Sequence, residues 1–497
     1  MAFEMSGFNS GLTSNSGIAD HYYQSTDQLA DMLEVGYFDV AEGLVQTGDI
    51  INGYSSTQDE YVKLRVNRVE TSAGVFTVQV SRFGLPARGN LVVSMGSSIL
   101  AHGAIDTGAR FAYDVAGPVE WAMRRLGWRA PYLNRAISGQ KTVDMIARLD
   151  ADVLSLKPQI VIMQNGTNEI SDEFALLKEN TYTLYSRIIA AGATLIAMGI
   201  SSRDSRSGWS QKDYETMAAI NEFKRRFCEA HPNCYYVDTN ATIMDPETGE
   251  LFPEMTWDGT HWTPTGAYRV GDRILPILED LLPRTDIIPT YIAKPDNGVH
   301  FSYGNEAPNP ALTGNSGALG DGVTGEVPDK WTVERSGSHS STATVSIGKK
   351  APNDPRNEVS ITLTPSGSSN REIFFFRIQP SIINIQQLGQ FYEGLMGIDV
   401  DAWDGFDYMR LEVDDAGPGS KTLYDGENSR GFPMPNEAWS GILRTPEHLP
   451  TGNLRLRVRI AIQGDAAGSG TVRFSTPVLR AIDPDSRIAF PRDLPQN

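Results

Sequence analysis

Short apolar segments alternate with helix-length amphipathic segments over residues 90–282, and this alternation constrains the fold more than any other feature. Continuous apolar runs of about five to seven residues are typical of strands that are buried on both faces. Strands separated by helices predict a parallel sheet covered by helices on both sides. The strands are predicted at residues 91–95, 132–137, 159–164, 194–200 and 235–238, and the helices at 113–126, 142–154, 173–190, 210–228 and 264–282.

The segments on either side of this region follow a different pattern. Residues 61–69 and 75–80 alternate apolar and polar side chains, as half-buried strands do. Residues 286–325 are rich in Pro, Gly, Asn and Ser, which is typical of a linker. Beyond them, at least seven short alternating segments separated by turns predict a β-sandwich of the jelly-roll type. We therefore expect four parts: a small β domain (1–88), an α/β domain with a parallel sheet (89–285), a linker (286–325) and a β-sandwich (326–497).

The acidic charge balance limits what the chain can bind. It has 497 residues, with 43 Lys and Arg against 61 Asp and Glu, and a formal net charge of −18. Nucleic acids and anionic lipids are bound by clustered cations, and no such cluster occurs along the sequence. No basic and apolar leader is present at the start, and no apolar run reaches the roughly 20 residues of a membrane helix. We expect no nucleic-acid or membrane partner, and synthesis in the cytoplasm without a signal peptide.

Four short blocks of polar residues follow predicted strands in the α/β region. The first places Gly96, Ser97 and Ser98 directly after a strand, and the fourth places Asp258 and His261 just before the last helix. The second block is Asn-Arg-Ala-Ile-Ser-Gly at residues 134–139, and the third is Gln-Asn-Gly-Thr-Asn-Glu at residues 164–169. Ligands of parallel sheets bind at the carboxyl ends of the strands, where these blocks fall.

In type and order the four blocks resemble those of the SGNH (GDSL-type) hydrolases, over residues 90–282. The resemblance implies a flavodoxin-like sheet for the α/β domain. The resemblance implies that Ser98 is a nucleophile and that His261 takes its proton as a general base. It also implies that Asp258 holds the imidazole in the required tautomer. Serine, imidazole and amide groups suffice for acyl transfer, so neither a metal nor a cofactor is expected.

The same resemblance implies an oxyanion hole built from three groups. These are the backbone N–H of Ser98, the backbone N–H of Ala136 and the side-chain amide of Asn168. Gly166 would allow the backbone to turn so that Asn168 points inward.

Two positions depart from the family's pattern. Ser97 stands where the family has an aspartate, and Ala136 stands where the second block has a glycine. A serine can still accept a hydrogen bond from nearby backbone N–H groups, and the N–H of Ala136 remains. Neither change removes a proton-transferring group, but both leave room for a degenerate site that only binds.

Other residues allow more than one interpretation. His102 lies one helical turn after Ser98, and we expect it to pack nearby without a catalytic role. The acidic run at residues 399–405 has its glycine at the seventh position and lacks the distal Glu, so no EF-hand is predicted. Cys228 and Cys234 are either semi-buried thiols or a bridge. Four aromatic residues of the predicted sandwich could stack on sugar rings or pack in its core: Trp403, Tyr408, Tyr424 and Trp439.

The flanking segments carry further resemblances. Residues 36–51 and the strands after them resemble small β domains at the start of phage head-fibre and tail-fibre proteins. Residues 309–314 and 327–333 resemble the entry of carbohydrate-binding sandwich modules. With the hydrolase-like blocks, these resemblances imply a serine esterase, a carbohydrate O-deacetylase, at the surface of a phage or phage-like particle.

The implied partners are a host surface polysaccharide, a virion structural protein bound through the N-terminal domain, and further copies of the chain in a trimer. A catalytically degenerate receptor-binding spike is the main alternative. A free bacterial lipase or acyltransferase is disfavoured by the missing signal peptide and by the N-terminal segment.

Overall fold

The structure is a computed structural model, and it describes most of the chain from residue 91 onward together with parts of the N-terminal segment. The described residues are 8–9, 20–25, 38, 45, 50–55, 60–72, 75–82, 91–107, 110–282, 305–337, 340–350, 352, 356–379, 389–417 and 421–482. They belong to two compact units. Unit 1 draws on residues 1–96, 139–200 and 210–238, and unit 2 on residues 97–138, 201–209 and 239–497.

The strands of the described residues are, in chain order, β1 (Phe8–Asn9), β2 (Asp20–Ser25), β3 (Ile50–Ser55), β4 (Glu60–Ser72), β5 (Val75–Arg82), β6 (Val92–Gly96), β7 (Ala104–Asp106), β8 (Arg110–Asp114), β9 (Tyr132–Asn134), β10 (Ile160–Gln164), β11 (Thr194–Met198), β12 (Cys234–Val237), β13 (Ser316–Leu319), β14 (Val323–Gly325), β15 (Val327–Arg335), β16 (Thr342–Lys349), β17 (Asn357–Thr364), β18 (Arg371–Ile378), β19 (Tyr392–Val400), β20 (Phe406–Asp415), β21 (Thr422–Glu427), β22 (Trp439–Arg444), β23 (Leu454–Gln463) and β24 (Gly470–Ala481).

The α-helices are α1 (Ser98–Ala101), α2 (Pro118–Arg125), α3 (Thr142–Asp152), α4 (Phe174–Ala190), α5 (Gln211–Glu229) and α6 (Pro264–Leu281). Short 3₁₀ turns cover Leu154–Leu156, Thr167–Glu169, Ser205–Ser207, Asn240–Thr242 and Pro253–Met255. Among the described helices, none combines the length and the apolar character needed to cross a bilayer.

Unit 1 contains two separate sheets. In the N-terminal sheet, β1 to β5 follow chain order, and all neighbours are antiparallel except β2 and β3. The predicted strands at residues 61–69 and 75–80 are confirmed. Of the segment 36–51, only Phe38, Val45 and the start of β3 lie within the described residues, so its resemblance to fibre proteins stays a prediction.

The second sheet of unit 1 is the predicted parallel sheet. Strands β6, β10, β11 and β12 run parallel to one another, with β10 between β6 and β11. Every residue of β6 and β10 is buried, as expected for strands covered on both faces. Helices α3, α4 and α5 form at the predicted positions, and α4 buries Leu177, Leu184 and Ile188 on one face. The α/β fold class is confirmed.

Unit 2 contains two β-sheets. The first has the strand order β13-β15-β18-β23-β20-β21-β8-β7, and the second has β14-β16-β17-β24-β19-β22. All seven segments predicted as strands beyond residue 326 form strands, namely β15, β16, β17, β18, β20, β23 and β24. Alternate residues of β17 and β18 are buried, because each strand turns one face to the interior of unit 2.

Two local predictions are wrong. Residues 113–126 were expected to form one helix, but β8 ends at Asp114 and α2 begins at Pro118, after an extended Gly117. Proline is favoured in the first turn of a helix and breaks the hydrogen bonding of a longer one. Residues 316–325 were expected to belong to a linker, but residues 316–319 form β13 and residues 323–325 form β14.

The strands β7 and β8 join residues of the predicted α/β domain to the predicted sandwich. β8 runs parallel to β21, and Phe111 is the register partner of Leu423. β7 extends the same sheet as the antiparallel neighbour of β8. Residues 104–106 and 110–114 are therefore part of the eight-stranded sheet of unit 2.

The structure also shows the surroundings of the residues for which the sequence allowed more than one interpretation. Trp403, Tyr408 and Trp439 are buried, which agrees with core packing, and Tyr424 is half-buried beneath the Arg410 guanidinium. The structure joins Cys228 and Cys234 in a disulfide, the second of the two interpretations. Within the described ranges, no three His, Cys, Asp or Glu side chains converge as metal ligands do.

Candidate active site

Ser98 stands at the point where an apolar strand turns into a short helix. β6 ends at Gly96, Ser97 is extended, and Ser98 is the first residue of α1. The carbonyl of Ser97 accepts hydrogen bonds from Leu100 N (3.1 Å) and Ala101 N (3.0 Å), which fixes the turn. The side chain of Ser97 is buried, whereas Ser98 is half-buried. The turn therefore leaves the Ser98 hydroxyl accessible.

Ser98, His261 and Asp258 form one hydrogen-bonded chain within unit 2. Asp258 Oδ2 lies 2.7 Å from His261 Nδ1, and His261 Nε2 lies 2.8 Å from Ser98 Oγ. Since an ionised carboxylate only accepts, Nδ1 carries the hydrogen and Nε2 is left to accept one from Ser98 Oγ. The three side chains predicted as a triad are thus brought together in the tautomer that proton abstraction requires.

The loop itself holds Asp258 in its ionised form. Burial acts to raise the pKa of Asp258, but hydrogen bonds from the backbone and side chain of His261 and from Thr260 N keep that pKa below its ordinary value. Asp258 Oδ1 accepts from Thr260 N (2.9 Å) and His261 N (2.8 Å), so one carboxylate shapes the turn and orients the imidazole.

A second acidic residue, Asp204, stabilises the loop that holds Asp258 and His261. Asp204 N donates to Gly259 O at 3.2 Å, and the Asp204 carboxylate binds Arg206. Arg206 in turn donates to the carbonyls of Trp257 (3.1 Å) and Thr256 (3.2 Å). Gly259 has a φ of +87°, and a Cβ there would stand 2.3 Å from Asp204 Oδ1. Sequence reasoning missed Asp204 and Arg206, which lie about 50 residues before the loop and match no part of the four blocks.

The backbone N–H of Ala136, a predicted oxyanion donor, makes a local hydrogen bond. It donates to Asn134 Oδ1 at 2.9 Å, so this group is already engaged. Asn134 is fixed in turn because its Nδ2 donates to Leu100 O (2.8 Å) and Glu120 Oε1 (3.0 Å). An oxyanion role for Ala136 would require its N–H to give up this bond. The backbone N–H of Ser98 makes no hydrogen bond within the described part of the chain, so it remains available.

Behind Asn134 lies a buried carboxyl group. Glu120 is completely buried and accepts from Tyr132 Oη at 2.7 Å as well as from Asn134. Desolvation by burial raises the pKa of Glu120 to about 7, although both hydrogen bonds act to lower it. Glu120 thus supports the second block from α2, a role that its sequence position does not reveal.

Gly166 and Asn168 belong to unit 1. Gly166 follows β10 with a φ of +98°, and a Cβ there would stand 2.6 Å from Ile200 Cδ1, so the turn requires glycine. Asn168 is exposed on the next 3₁₀ turn, and its Nδ2 donates to Gln140 O at 2.9 Å. The predicted turn at Gly166 is present, and the oxyanion role of Asn168 stays a prediction.

A buried lysine supports this third block from α5. Lys224 Nζ donates to Asn165 O (2.8 Å) and Met198 O (3.1 Å), at the ends of two neighbouring strands. Burial lowers the pKa of Lys224 to about 7, opposed by the charge of Glu169. Glu169 accepts from Thr142 N at 2.7 Å. Neither side chain was predicted from the sequence, because a lysine or glutamate in such a segment is ordinarily a solvated surface residue.

Two aromatic rings, those of Trp257 and His102, pack against the imidazole of His261. The Trp257 ring stacks on the imidazole of His261, with centroids 5.5 Å apart, and on Phe432, with centroids 5.8 Å apart. The ring centroids of His102 and His261 lie 4.6 Å apart, as expected from the position of His102 one helical turn after Ser98. Burial, followed by the charges of His261 and Arg430, lowers the pKa of His102 to about 4, so it is neutral at pH 7. Phe432 and Arg430 come from the predicted sandwich, and sequence reasoning missed both.

One region of the chain matches a known family. Residues 94–269 match the model of the GDSL-like Lipase/Acylhydrolase family, and they contain all four blocks. This segment is therefore a hydrolase domain of the GDSL (SGNH) type, within a longer chain. No curated protein sequence matches the chain.

Several solved structures are similar to part of the chain. A GDSL-like lipase from Bacteroides thetaiotaomicron is 19% identical, covers 39% of this chain and 89% of its own, and gives a TM-score of 0.31. A catalytic mutant of an acetylxylan esterase from Geobacillus stearothermophilus is 18% identical, covers 40% of this chain and 98% of its own, and gives a TM-score of 0.33.

Proposed function

We propose that the chain is a serine ester hydrolase that removes O-acetyl or similar short acyl groups from a polysaccharide. The observation that carries the proposal is the continuous chain of hydrogen bonds from Asp258 through His261 to Ser98. A serine hydroxyl is a weak nucleophile on its own, and a neutral imidazole at 2.8 Å is the group that activates it.

The reaction follows from this arrangement. Ser98 Oγ attacks the ester carbonyl while His261 Nε2 takes its proton, and the backbone N–H of Ser98 is positioned to stabilise the oxyanion. The tetrahedral intermediate collapses as the bond between the acyl carbon and the sugar oxygen breaks. His261 gives its proton to this oxygen, so the sugar leaves as an alcohol and the acyl group stays on Ser98. A water molecule then attacks the acyl carbon while His261 takes its proton. Collapse of this second tetrahedral intermediate breaks the bond to Ser98 Oγ, which recovers the proton from His261 as the carboxylic acid is released. Asp258 remains ionised throughout and stabilises the imidazolium.

A polysaccharide substrate is the finer part of the proposal. Its supports are the resemblance of the sandwich entry to carbohydrate-binding modules and the aromatic faces of Trp257 and Phe432 beside His261. Unit 2 also contains an open polar cleft of about 670 Å³, lined by Glu358, Asp399 and Arg473, among others, and by none of the triad residues. This cleft is a candidate site for glycan binding apart from the reaction.

The particle-bound role is a proposal as well. The N-terminal β domain would attach the chain to a virion structural protein of a phage or phage-like particle. A trimer at the particle surface would then present the esterase to host polysaccharide. The resemblance of residues 36–51 to fibre proteins supports this role.

A binding-only spike is the second candidate. One observation favours it: the N–H of Ala136 donates to Asn134 Oδ1, so this predicted oxyanion donor would have to give up that bond before it could act. The intact triad geometry favours the esterase.

Release of acetate from an O-acetylated polysaccharide distinguishes the two candidates. The esterase releases acetate, and Ser98→Ala abolishes the release while still binding the polymer. A binding-only spike would bind the polymer with equal affinity in both forms and would release no acetate from either.

A further inference from the structure

Residues 428–434, here called the Arg430 loop, belong to the predicted sandwich and contact Trp257 and His102, and several hydrogen bonds fix their position. The Asn428 side chain donates to Asp407 O (2.8 Å) and Phe432 O (2.6 Å) and accepts from Gly431 N (2.9 Å). Ser429 N donates to Asp114 Oδ2 at 3.0 Å. The loop therefore presents Arg430 from a fixed base.

Arg430 contacts the residues that surround the catalytic imidazole. Its guanidinium carbon lies 5.1 Å from the centroid of the Trp257 ring, and its Nη2 donates to His102 Nε2 at 3.3 Å. Trp257 and His102 both pack against His261. The guanidinium is thus separated by a single layer of side chains from the imidazole that binds Ser98.

Arg430 is exposed and has no carboxylate within ion-pair distance in the described part of the chain. Other arginines of unit 2 do have such partners, such as Arg410 with Glu427 and Arg371 with Asp407. In a chain with a net charge of −18, an unpaired guanidinium beside the catalytic residues is free to bind an anion. The planar fork of Arg suits a carboxylate, which it can bind through two hydrogen bonds.

We infer that Arg430 determines specificity by binding the carboxylate of an acidic sugar next to the acylated residue, so that the substrate is an acylated acidic polysaccharide. This inference rests on the proposed function and names its substrate class. The sandwich would then contribute directly to the ester-binding site, and its role would extend beyond holding the polymer at a distance.

The test compares two polymers with the full-length protein: O-acetylated polygalacturonate, which is acidic, and O-acetylated glucomannan, which is neutral. Arg430→Gln should lower kcat/KM for the acidic polymer by about tenfold or more relative to the neutral one, mainly through KM, as expected for one lost charge-assisted hydrogen bond. Arg430→Lys should recover only part of the lost kcat/KM, because lysine keeps the positive charge but lacks the planar, two-pronged set of N–H donors of arginine. Arg455→Gln, an equal charge change at an exposed position of β23, is the matched control.

Equal losses on the two polymers, or no loss on either, would overturn the inference. If the wild-type protein hydrolyses neither polymer, the proposed function fails. The role of Arg430 is then tested by measuring the affinity for an acidic oligosaccharide. In that case Ser98→Ala should bind oligogalacturonate in calorimetry at least about tenfold more tightly than the Ser98→Ala/Arg430→Gln double variant. Equal affinities there would also overturn the inference.

Discussion

Arg124 and Asp425 form a buried ion pair between residues that lie 301 positions apart in the sequence. Arg124 Nε lies 2.6 Å from Asp425 Oδ1, and the two side chains are 1% and 0% exposed. Asp425 Oδ2 also accepts from Arg444 N, and Arg124 donates to the carbonyls of Tyr113 and Asp114. The pair joins α2, which lies within the GDSL-type segment, to β21 of the eight-stranded sheet, so the two parts share one interior.

Because the GDSL-type segment and the eight-stranded sheet share a buried interior, we expect that removing the sandwich would unfold the GDSL-type segment as well. Asp425→Asn should lower the free energy of unfolding by about 3–5 kcal/mol, because it leaves the Arg124 charge buried without a counter-charge. Asp150→Asn, which breaks an ion pair with Arg187 in which Asp150 is 73% exposed, should cost less than about 1 kcal/mol. Urea denaturation of both variants measures the difference.

Truncation after residue 325 extends the same argument. It removes β21, the neighbour of β8, together with Asp425, so we expect the shortened chain to be insoluble or unfolded by circular dichroism. A soluble truncated chain with full activity on a small ester would show that the hydrolase segment folds independently.

The turn between Asp258 and His261 depends on Gly259. Gly259→Ala places a methyl group against Asp204 Oδ1 and forces a positive φ on alanine, so we expect kcat for a short aryl ester to fall at least about tenfold. Gly249→Ala is the matched control, since Gly249 has a φ of +74° and open space around its Cβ position. It should cost about 1 kcal/mol of stability with little change in kcat. Equal kcat values for the two variants would contradict the role given to this loop.

The buried carboxyl of Glu120 predicts a pH dependence of stability. Its pKa rises from 4.5 to about 7 in the folded protein because of burial. Between these values the folded state holds a proton that the unfolded state releases, so the stabilising contribution is complete below pH 4.5 and is lost as the pH rises through 7. Glu120→Gln stays neutral at every pH, so its Tm should fall less than that of the wild type between pH 5 and pH 8. Parallel Tm profiles for the two proteins would contradict the assignment.

The sequence predicted the parts of the fold that rest on local patterns. The apolar runs of β6, β10 and β11 and the alternation of β17 and β18 depend on neighbouring residues, and these strands form where expected. The four blocks predicted which side chains would meet, and Ser98, Asp258 and His261 do so within unit 2.

The features that could not be predicted depend on contacts between distant residues. Nothing near residue 430 indicates that Arg430 lies beside His102, which precedes it by 328 positions. The strand β8 was missed because its pairing partner β21 lies about 310 residues later, although Gly117 and Pro118 did mark the start of a new element. The hydrogen bond from Ala136 to Asn134 depends on a side-chain orientation that Glu120 fixes from α2.

The central claim is that Ser98 is an activated nucleophile, and the hydrolysis rate of p-nitrophenyl acetate by the full-length protein tests it most directly. We expect the wild type to hydrolyse this ester well above the buffer rate, and Ser98→Ala to lose about 10³-fold or more in kcat while keeping the same Tm. Ser155→Ala, at an exposed serine in the turn after α3, should retain the wild-type rate. A wild-type rate equal to that of buffer, or a folded Ser98→Ala variant that retains the wild-type rate, would contradict the claim.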